Sequence, residues 1–230
     1  MEGLLLVDKP EGWTSFDVVN YVRKIVAQSM GKKPRQVKVG HIGTLDPAAT
    51  GLLVLCIGKS YTSKVPELML HDKTYIADIT FGASSSTGDK DGDITQSESV
   101  VDVKKEQLEQ ALTQFIGTIK QTPPQYSAVK INGKRAYELA REGKTANIKP
   151  RSVRIHNLQL KEFNWPHARI VADVGSGTYI RVLAEDIGKE LETEGYLRAL
   201  RRTKIADWDV TYAVQVESLD AEQIYAHLRR

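Results

Sequence analysis

One carboxylate, Asp46, stands in the run His41-Ile42-Gly43-Thr44-Leu45-Asp46-Pro47-Ala48-Ala49-Thr50-Gly51. Pro47 fixes its own φ and pushes Asp46 toward extended backbone. Gly43 and Gly51 allow tight turns or close approach of a ligand to the backbone. The apolar stretch 52–57 that follows reads as a strand. These residues form a mount that holds one acid in one orientation. A carboxylate held so can attack a carbon covalently or stabilise a developing cation. An Asp-Pro pair taken alone is most often a plain turn, so the neighbours carry the inference.

Further polar residues cluster in short strings along the chain. Lys9-Pro10-Glu11-Gly12-Trp13-Thr14-Ser15 follows a first strand at 3–7. Asp72-Lys73-Thr74-Tyr75 opens a β-rich stretch ending at Gly82. Ser86-Thr87-Gly88-Asp89-Lys90-Asp91-Gly92 lies in a polar loop, and Gln121-Thr122-Pro123-Pro124-Gln125-Tyr126-Ser127-Ala128-Val129-Lys130 opens a basic excursion. Gly177-Thr178-Tyr179-Ile180-Arg181 leads into a helix, and Leu200-Arg201-Arg202-Thr203 comes last.

The elements that must position them can be read coarsely. Thr14-Ser15-Phe16-Asp17 is a capping box, and the helix after it presents Val18, Val19, Val22, Ile25 and Val26 on one face. Residues 30–40 read as a basic loop, and 67–70 as a poorly defined helical stretch. Strands are expected at 75–81, 153–162, 168–174 and 203–210. Helices are expected at 104–116, 136–142, 178–192 and 221–228. This order predicts an α+β fold with a central mixed, mostly antiparallel sheet flanked by helices, in one domain over residues 1–230. Residues 121–150 form an insertion.

The 230 residues carry a net charge of +3, but the charge is segregated. No acid lies between Asp17 and Asp46, whereas Arg23, Lys24, Lys32, Lys33, Arg35 and Lys38 do. From 120 to 154 nine Lys and Arg face Glu138 and Glu142 alone, and Arg198, Arg201, Arg202 and Lys204 make a third cluster. Such segregation points to a phosphate-backbone partner. No apolar run is long enough for a transmembrane helix, so no membrane association is expected. The single Cys56 lies in an apolar strand and favours a cytoplasmic location. Asp89-Lys90-Asp91-Gly92-Asp93 is superficially a calcium loop, but Ile94 and Val100 stand where Gly and Glu belong. No metal site is expected.

In this order and register, the strings resemble the bacterial-type tRNA pseudouridine-55 synthases over about residues 3–205. The resemblance implies an isomerase that flips the T-loop uridine out of its stack and converts it to pseudouridine. It implies the pseudouridine synthase fold, a tRNA T-arm substrate, and no cofactor or metal. Asp46 corresponds to the family's catalytic acid, Arg181 to the arginine paired with it, and Tyr75 to the tyrosine that stacks on the base. Stacking recovers roughly 1–3 kcal/mol of a flipping cost of a few kcal/mol. His41 resembles the residue that fills the vacated RNA position, and Tyr179 and Leu200 resemble pocket residues. Lys9 and Pro10 resemble support beneath the active-site loop, with Lys9 counted among the substrate-binding residues. Lys130 and Arg141 are candidates for phosphate contact in an RNA-gripping insertion. Residues 173–177 lack the usual Cys-Ser, and 60–62 and 192–196 also depart from the pattern. About 20 residues follow Val210, so no separate C-terminal RNA-binding domain is expected. A monomer without a protein partner is expected. Two alternatives are an RNA-folding protein that grips tRNA without catalysis and a synthase for another RNA.

Overall fold

The computed structural model describes residues 1–97, 102–131 and 133–229. Val100 of the calcium-loop reading lies outside them. In chain order, the first elements are β1 (Gly3–Lys9), α1 (Ser15–Ser29), β2 (Val39–Ile42), β3 (Thr50–Ile57), α2 (Lys59–Thr62), α3 (Val65–Leu68) and β4 (Lys73–Phe81). Next come β5 (Ala83–Ser85), β6 (Ile94–Gln96), α4 (Lys105–Gln114), β7 (Gly117–Gln121), β8 (Lys130–Ile131), β9 (Lys134–Arg135) and α5 (Ala136–Arg141). The last are β10 (Arg151–Asn164), β11 (His167–Val174), α6 (Ile180–Glu190), β12 (Gly195–Ile205), β13 (Trp208–Asp209), β14 (Val214–Gln215) and α7 (Ala221–His227). The chain forms two compact units, Met1–Tyr75 with Leu200–Arg230, and Ile76–Ala199.

In the first unit β1 runs antiparallel to β3 from Gly3↔Ile57 to Lys9↔Gly51. β2 is antiparallel to β3, and β14 and β12 lie parallel to β1 and β3 respectively. The period of two along β3 splits its residues between two cores. Leu53, Leu55 and Ile57 pack with Leu5, Val7 and the Val18, Val19, Val22 and Val26 face of α1. Leu52, Val54 and Cys56 pack with Leu6, Ile42 and Ile205. Burial on both faces explains why 52–57 is an unbroken apolar run. The capping box of α1 is present, with the Thr14 hydroxyl accepting from the Asp17 N–H and the Asp17 carboxylate accepting from Thr14. Ile25 is only half-buried.

In the second unit β7, β10 and β11 form an antiparallel set, with Arg151 opposite Gln121. α6 buries Ile180, Leu183, Ala184 and Ile187, and α4 buries Leu108, Ala111 and Leu112. Residues of the expected insertion carry the β8–β9 hairpin, α5 and a small core of Ala136, Ala146 and Ile148.

The α+β class and the mixed sheet agree with the sequence reading. The strand expected at 203–210 is two strands. β12 ends at Ile205, and β13 pairs back on it through Ile205↔Trp208. Ala206, at φ 48°, makes the reversal without glycine or proline, so no turn residue marks it. β2 and β7 were not expected. Neither shows a strand pattern of its own, and both are set by pairing with a distant partner.

Candidate functional site

Asp46 lies on the loop between β2 and β3, and buried side chains fasten that loop's backbone from beneath. Ser15, 2% exposed at the first turn of α1, brackets one residue of the loop. Its hydroxyl donates to Leu45 O at 3.0 Å and accepts from Leu45 N at 2.8 Å. Leu45 is itself buried, so the residue before Asp46 is anchored by both backbone and side chain. Lys9, with no exposed surface, donates its ammonium to Trp13 O (2.6 Å), Pro10 O (2.9 Å) and Pro47 O (3.2 Å). Gly12 N also donates to Pro47 O at 2.9 Å. Lys9 is thus support for the loop, with no ammonium surface left for a substrate. Burial lowers its pKa to about 8, against which the Asp46 carboxylate acts to raise it.

Arg202 closes the loop from β12. It is 1% exposed, donating Nε to Leu52 O at 2.8 Å and Nη2 to Gly43 O at 2.9 Å, so it spans the two ends of the loop. Gly51 must be glycine here: its φ is 100°, and a Cβ would stand 2.2 Å from the Arg202 carbonyl oxygen. Lys73 of β4 donates to Met69 O at 3.0 Å and to His71 O. Burial, then the Arg202 charge, lower its pKa to about 8. Tyr75, two residues on, is 7% exposed, while His41 on β2 and Leu200 on β12 are half-buried.

In the second unit the Gly177–Arg181 turn precedes and opens α6. Arg181 is 5% exposed and donates Nη1 to Thr87 O at 2.9 Å and Nη2 to Tyr126 O at 2.8 Å. Its Nε stands 3.6 Å from Asp89 Oδ2. A cation in the first turn of a helix is unfavourable by itself, and these oxygens offset the cost. Asp89, read as part of a calcium-like loop, instead accepts from Thr87 Oγ1 at 2.6 Å and faces Arg181. Tyr179 is half-buried, and its backbone is held by Gln121, whose Oε1 accepts from Tyr179 N at 3.0 Å. Near Arg181, a cavity of about 390 Å³ is lined by Thr87, Tyr126, Glu185, Asp186, Lys120 and Lys189 among others. Burial raises the pKa of both Glu185 and Asp186.

The basic clusters divide. Lys24, Lys32, Lys33, Arg35 and Lys38 are exposed, as are Lys130, Lys134, Arg135, Arg141 and Lys144 in the insertion. Arg135 and Arg141 both lie over the Tyr137 ring, at 5.8 and 5.6 Å from its centroid. In the third cluster Arg202 is taken into the interior, while Arg198, Arg201 and Lys204 are ion-paired but keep exposed surface. Arg201 pairs with Asp8 at 2.7 Å, Lys204 with Asp209 at 3.5 Å, and Arg198 with Asp78 at 3.7 Å. Sequence reasoning missed the structural parts played by Ser15, Gln121, Arg151 and Arg202. Nothing local separates Arg202 from Arg201. Gln121 and Ser15 stood inside the quoted strings, where their type alone named no role. Among the described residues, no three His, Cys, Asp or Glu side chains converge to hold a metal ion.

Comparison with proteins of known structure places the fold first. A solved chain from a crystal structure of a Cbf5–Nop10–Gar1 complex matches 97% of this chain at a TM-score of 0.70 and 26% identity. This chain spans about half, 55%, of that chain's length. The fold is that of the pseudouridine synthases. The family model for TruB family pseudouridylate synthases (N-terminal domain) matches residues 30–180. tRNA pseudouridine synthase B of Phocaeicola vulgatus is 41% identical over 225 residues, covering 96% of this chain and 94% of that protein. Its counterpart in Caldanaerobacter subterraneus is 43% identical over 221 residues, covering 95% of this chain and 74% of that protein. The chain belongs to the TruB family of pseudouridylate synthases.

Proposed function

We propose that the chain isomerises uridine to pseudouridine at position 55 in the T loop of tRNA. The reaction breaks the N1–C1′ bond, turns the freed base and joins C5 to C1′. N1 gains a proton as C5 loses one. No oxidant, reductant or group donor is consumed, so the chemistry needs one well-held carboxylate rather than a cofactor. The observation that carries the reading is the Asp46 loop, fastened by Lys9, Ser15 and Arg202 in a chain of this family. A mount of this stiffness keeps the acid in a reactive geometry without reorganisation at each turnover.

In this reading Asp46 acts at C1′, Tyr75 stacks on the flipped uracil, and Arg181 is the reaction's arginine. Tyr179 and Leu200 line the base pocket, and His41 supports the opened RNA loop. Lys130 and Arg141 contact phosphates from the exposed face of the insertion, which has its own small core. All of these roles follow the family resemblance. The proposal includes one catalytic domain over residues 1–230, acting as a monomer without a protein partner in the cytoplasm. No helix of the described residues is long and apolar enough to cross a membrane. Light scattering of the active purified chain tests the monomer.

The deciding experiment is tritium release from 5-³H-uridine-labelled tRNA by wild type and Asp46→Asn. A transcript without the target uridine serves as control. Release by wild type alone, dependent on that uridine, is expected, with Asp46→Asn slower by on the order of 10³-fold or more. Release that survives the substitution overturns the assignment of Asp46. No release by wild type, with tRNA binding intact, favours an RNA-folding protein or another RNA substrate.

A further inference from the structure

The insertion leaves the second unit's sheet at Gln121 and rejoins it at Arg151, and these residues are register partners across β7 and β10. The side chains of both reach the same short turn, Gly177 to Arg181. Gln121 is 2% exposed and grips one residue twice. Its Oε1 accepts from Tyr179 N at 3.0 Å, and its Nε2 donates to Tyr179 O at 3.3 Å. Tyr179 is the N-cap of α6, so Gln121 satisfies one of the orphan N–H groups at the helix start, the one that a Glu or Gln at the third helical position takes in a capping box. Arg151 donates to Gly177 O, and its guanidinium lies 5.1 Å from the Tyr179 ring centroid. A third tie comes from the insertion itself, where Tyr126 O accepts from Arg181 Nη2 at 2.8 Å.

The turn also packs closely against Arg151. Gly177 has φ 83°, and a Cβ there would meet Arg151 Nη2 at 3.1 Å. The turn carries Tyr179 and Arg181, two residues to which the proposed function gives roles. Nothing in the reaction calls for a buried glutamine, and both ends of its amide hydrogen-bond to one residue, Tyr179. We propose that Gln121 and Arg151 are positioning residues, which fix the Tyr179–Arg181 turn to the two ends of the insertion. They set the rate of the reaction rather than the affinity for RNA. The ends of the segment that grips RNA and the residues that act on its base thereby form one mechanical unit. The inference rests on the proposed roles of Tyr179 and Arg181.

The test uses the full chain with a T-arm RNA carrying 5-³H-uridine, in single-turnover reactions at saturating enzyme, with RNA affinity from filter binding. Gln121→Ala is expected to lower the saturating rate about 10- to 100-fold, the loss that follows small misplacement of reacting groups. The RNA Kd is expected to stay within about threefold. Gln121→Glu keeps the acceptor for Tyr179 N but loses the donor to Tyr179 O, so its rate is expected between the two. It also decides the matter should the alanine variant fail to fold. Arg151→Lys keeps the charge and loses the planar donor set, and is expected to show the same pattern more weakly. In an Arg181→Lys background, Gln121→Ala is expected to cost less than its own factor, because both changes act on one group.

A folded Gln121 variant at wild-type saturating rate overturns the proposal. So does a variant that loses affinity and keeps its rate, which places Gln121 in the RNA grip alone. Full multiplication of the two losses also overturns it. An Arg181→Lys enzyme with undiminished rate refutes the role of Arg181 in the proposed function. The part of Gln121 is then judged on its own rate and Kd.

Discussion

Replacing Ser15 by Ala removes one oxygen and leaves two buried backbone groups of Leu45 without their partner. Ser15 Oγ is the donor to Leu45 O at 3.0 Å and the acceptor from Leu45 N at 2.8 Å, with the serine 2% exposed. A buried N–H or C=O left unsatisfied costs about 1–3 kcal/mol, so a rigid loop would lose about 2–6 kcal/mol. The higher helix propensity of alanine returns less than about 0.7 kcal/mol. For a chain of this size each kcal/mol moves the Tm by about 2–4 °C, which sets the expected fall on the order of 10 °C. The loop can instead shift to admit water, which recovers stability but moves the neighbouring Asp46. A shift near 1 Å costs on the order of 10²-fold in rate. Scanning calorimetry and tritium release at saturating RNA together close the account. A Ser15→Ala enzyme with wild-type Tm and wild-type rate would refute the view that this bond pair holds the loop that carries Asp46.

RNA affinity should fall log-linearly with salt, by about 0.7–0.9 per phosphate contact in the slope. Lys130→Ala and Arg141→Ala should each reduce that slope by about one, and an unchanged slope removes the residue from the phosphate contacts. Lys73 titrates near pH 8 in the folded chain, below its ordinary 10.5, because it is buried and then because Arg202 is near. Between those pH values the unfolded chain binds the extra proton, so stability rises with pH, by about 3 kcal/mol in total. Urea unfolding at pH 7.5 and 10 should therefore show the advantage of wild type over Lys73→Met growing with pH, and a constant difference contradicts the lowered pKa. Cys56 has no exposed surface, and burial pushes its thiol up to about 11. It should react with an aromatic disulfide reagent at pH 8 only after unfolding, and rapid modification of the native chain would show that the β3 core opens.

Parts of the candidate site are legible in the sequence alone. The Asp46 run, with proline after the acid and glycine on each side, marks itself by residue type, because turns and close approaches demand those residues. The Tyr179 and Arg181 string marks itself by its place at a helix start. Lys9 was read both as support and as a substrate-binding residue, and burial decides for support. In the cluster from Arg198 to Lys204, Arg202 was counted with a phosphate-facing patch, and its burial takes it out of one. A count of cations cannot tell a solvated arginine from one donating to Gly43 O across 159 residues.

What the sequence determined by itself is local or periodic. The capping box of α1, the apolar runs of β1 and β3, the apolar faces of α1 and α6 and the glycine-bounded acid all follow from side-chain type at short spacing. What only the tertiary structure decided is long-range and made mostly to backbone. Ser15 with Leu45, Arg202 with Leu52 and Gly43, and Arg181 with Thr87 and Tyr126 join side chains to peptide groups 30 to 159 residues away. Every residue but proline offers the same peptide N–H and C=O, so no pattern in the sequence names the one that will be chosen. β2 and β7 arise in the same way, from the partner strands that complete their hydrogen bonds.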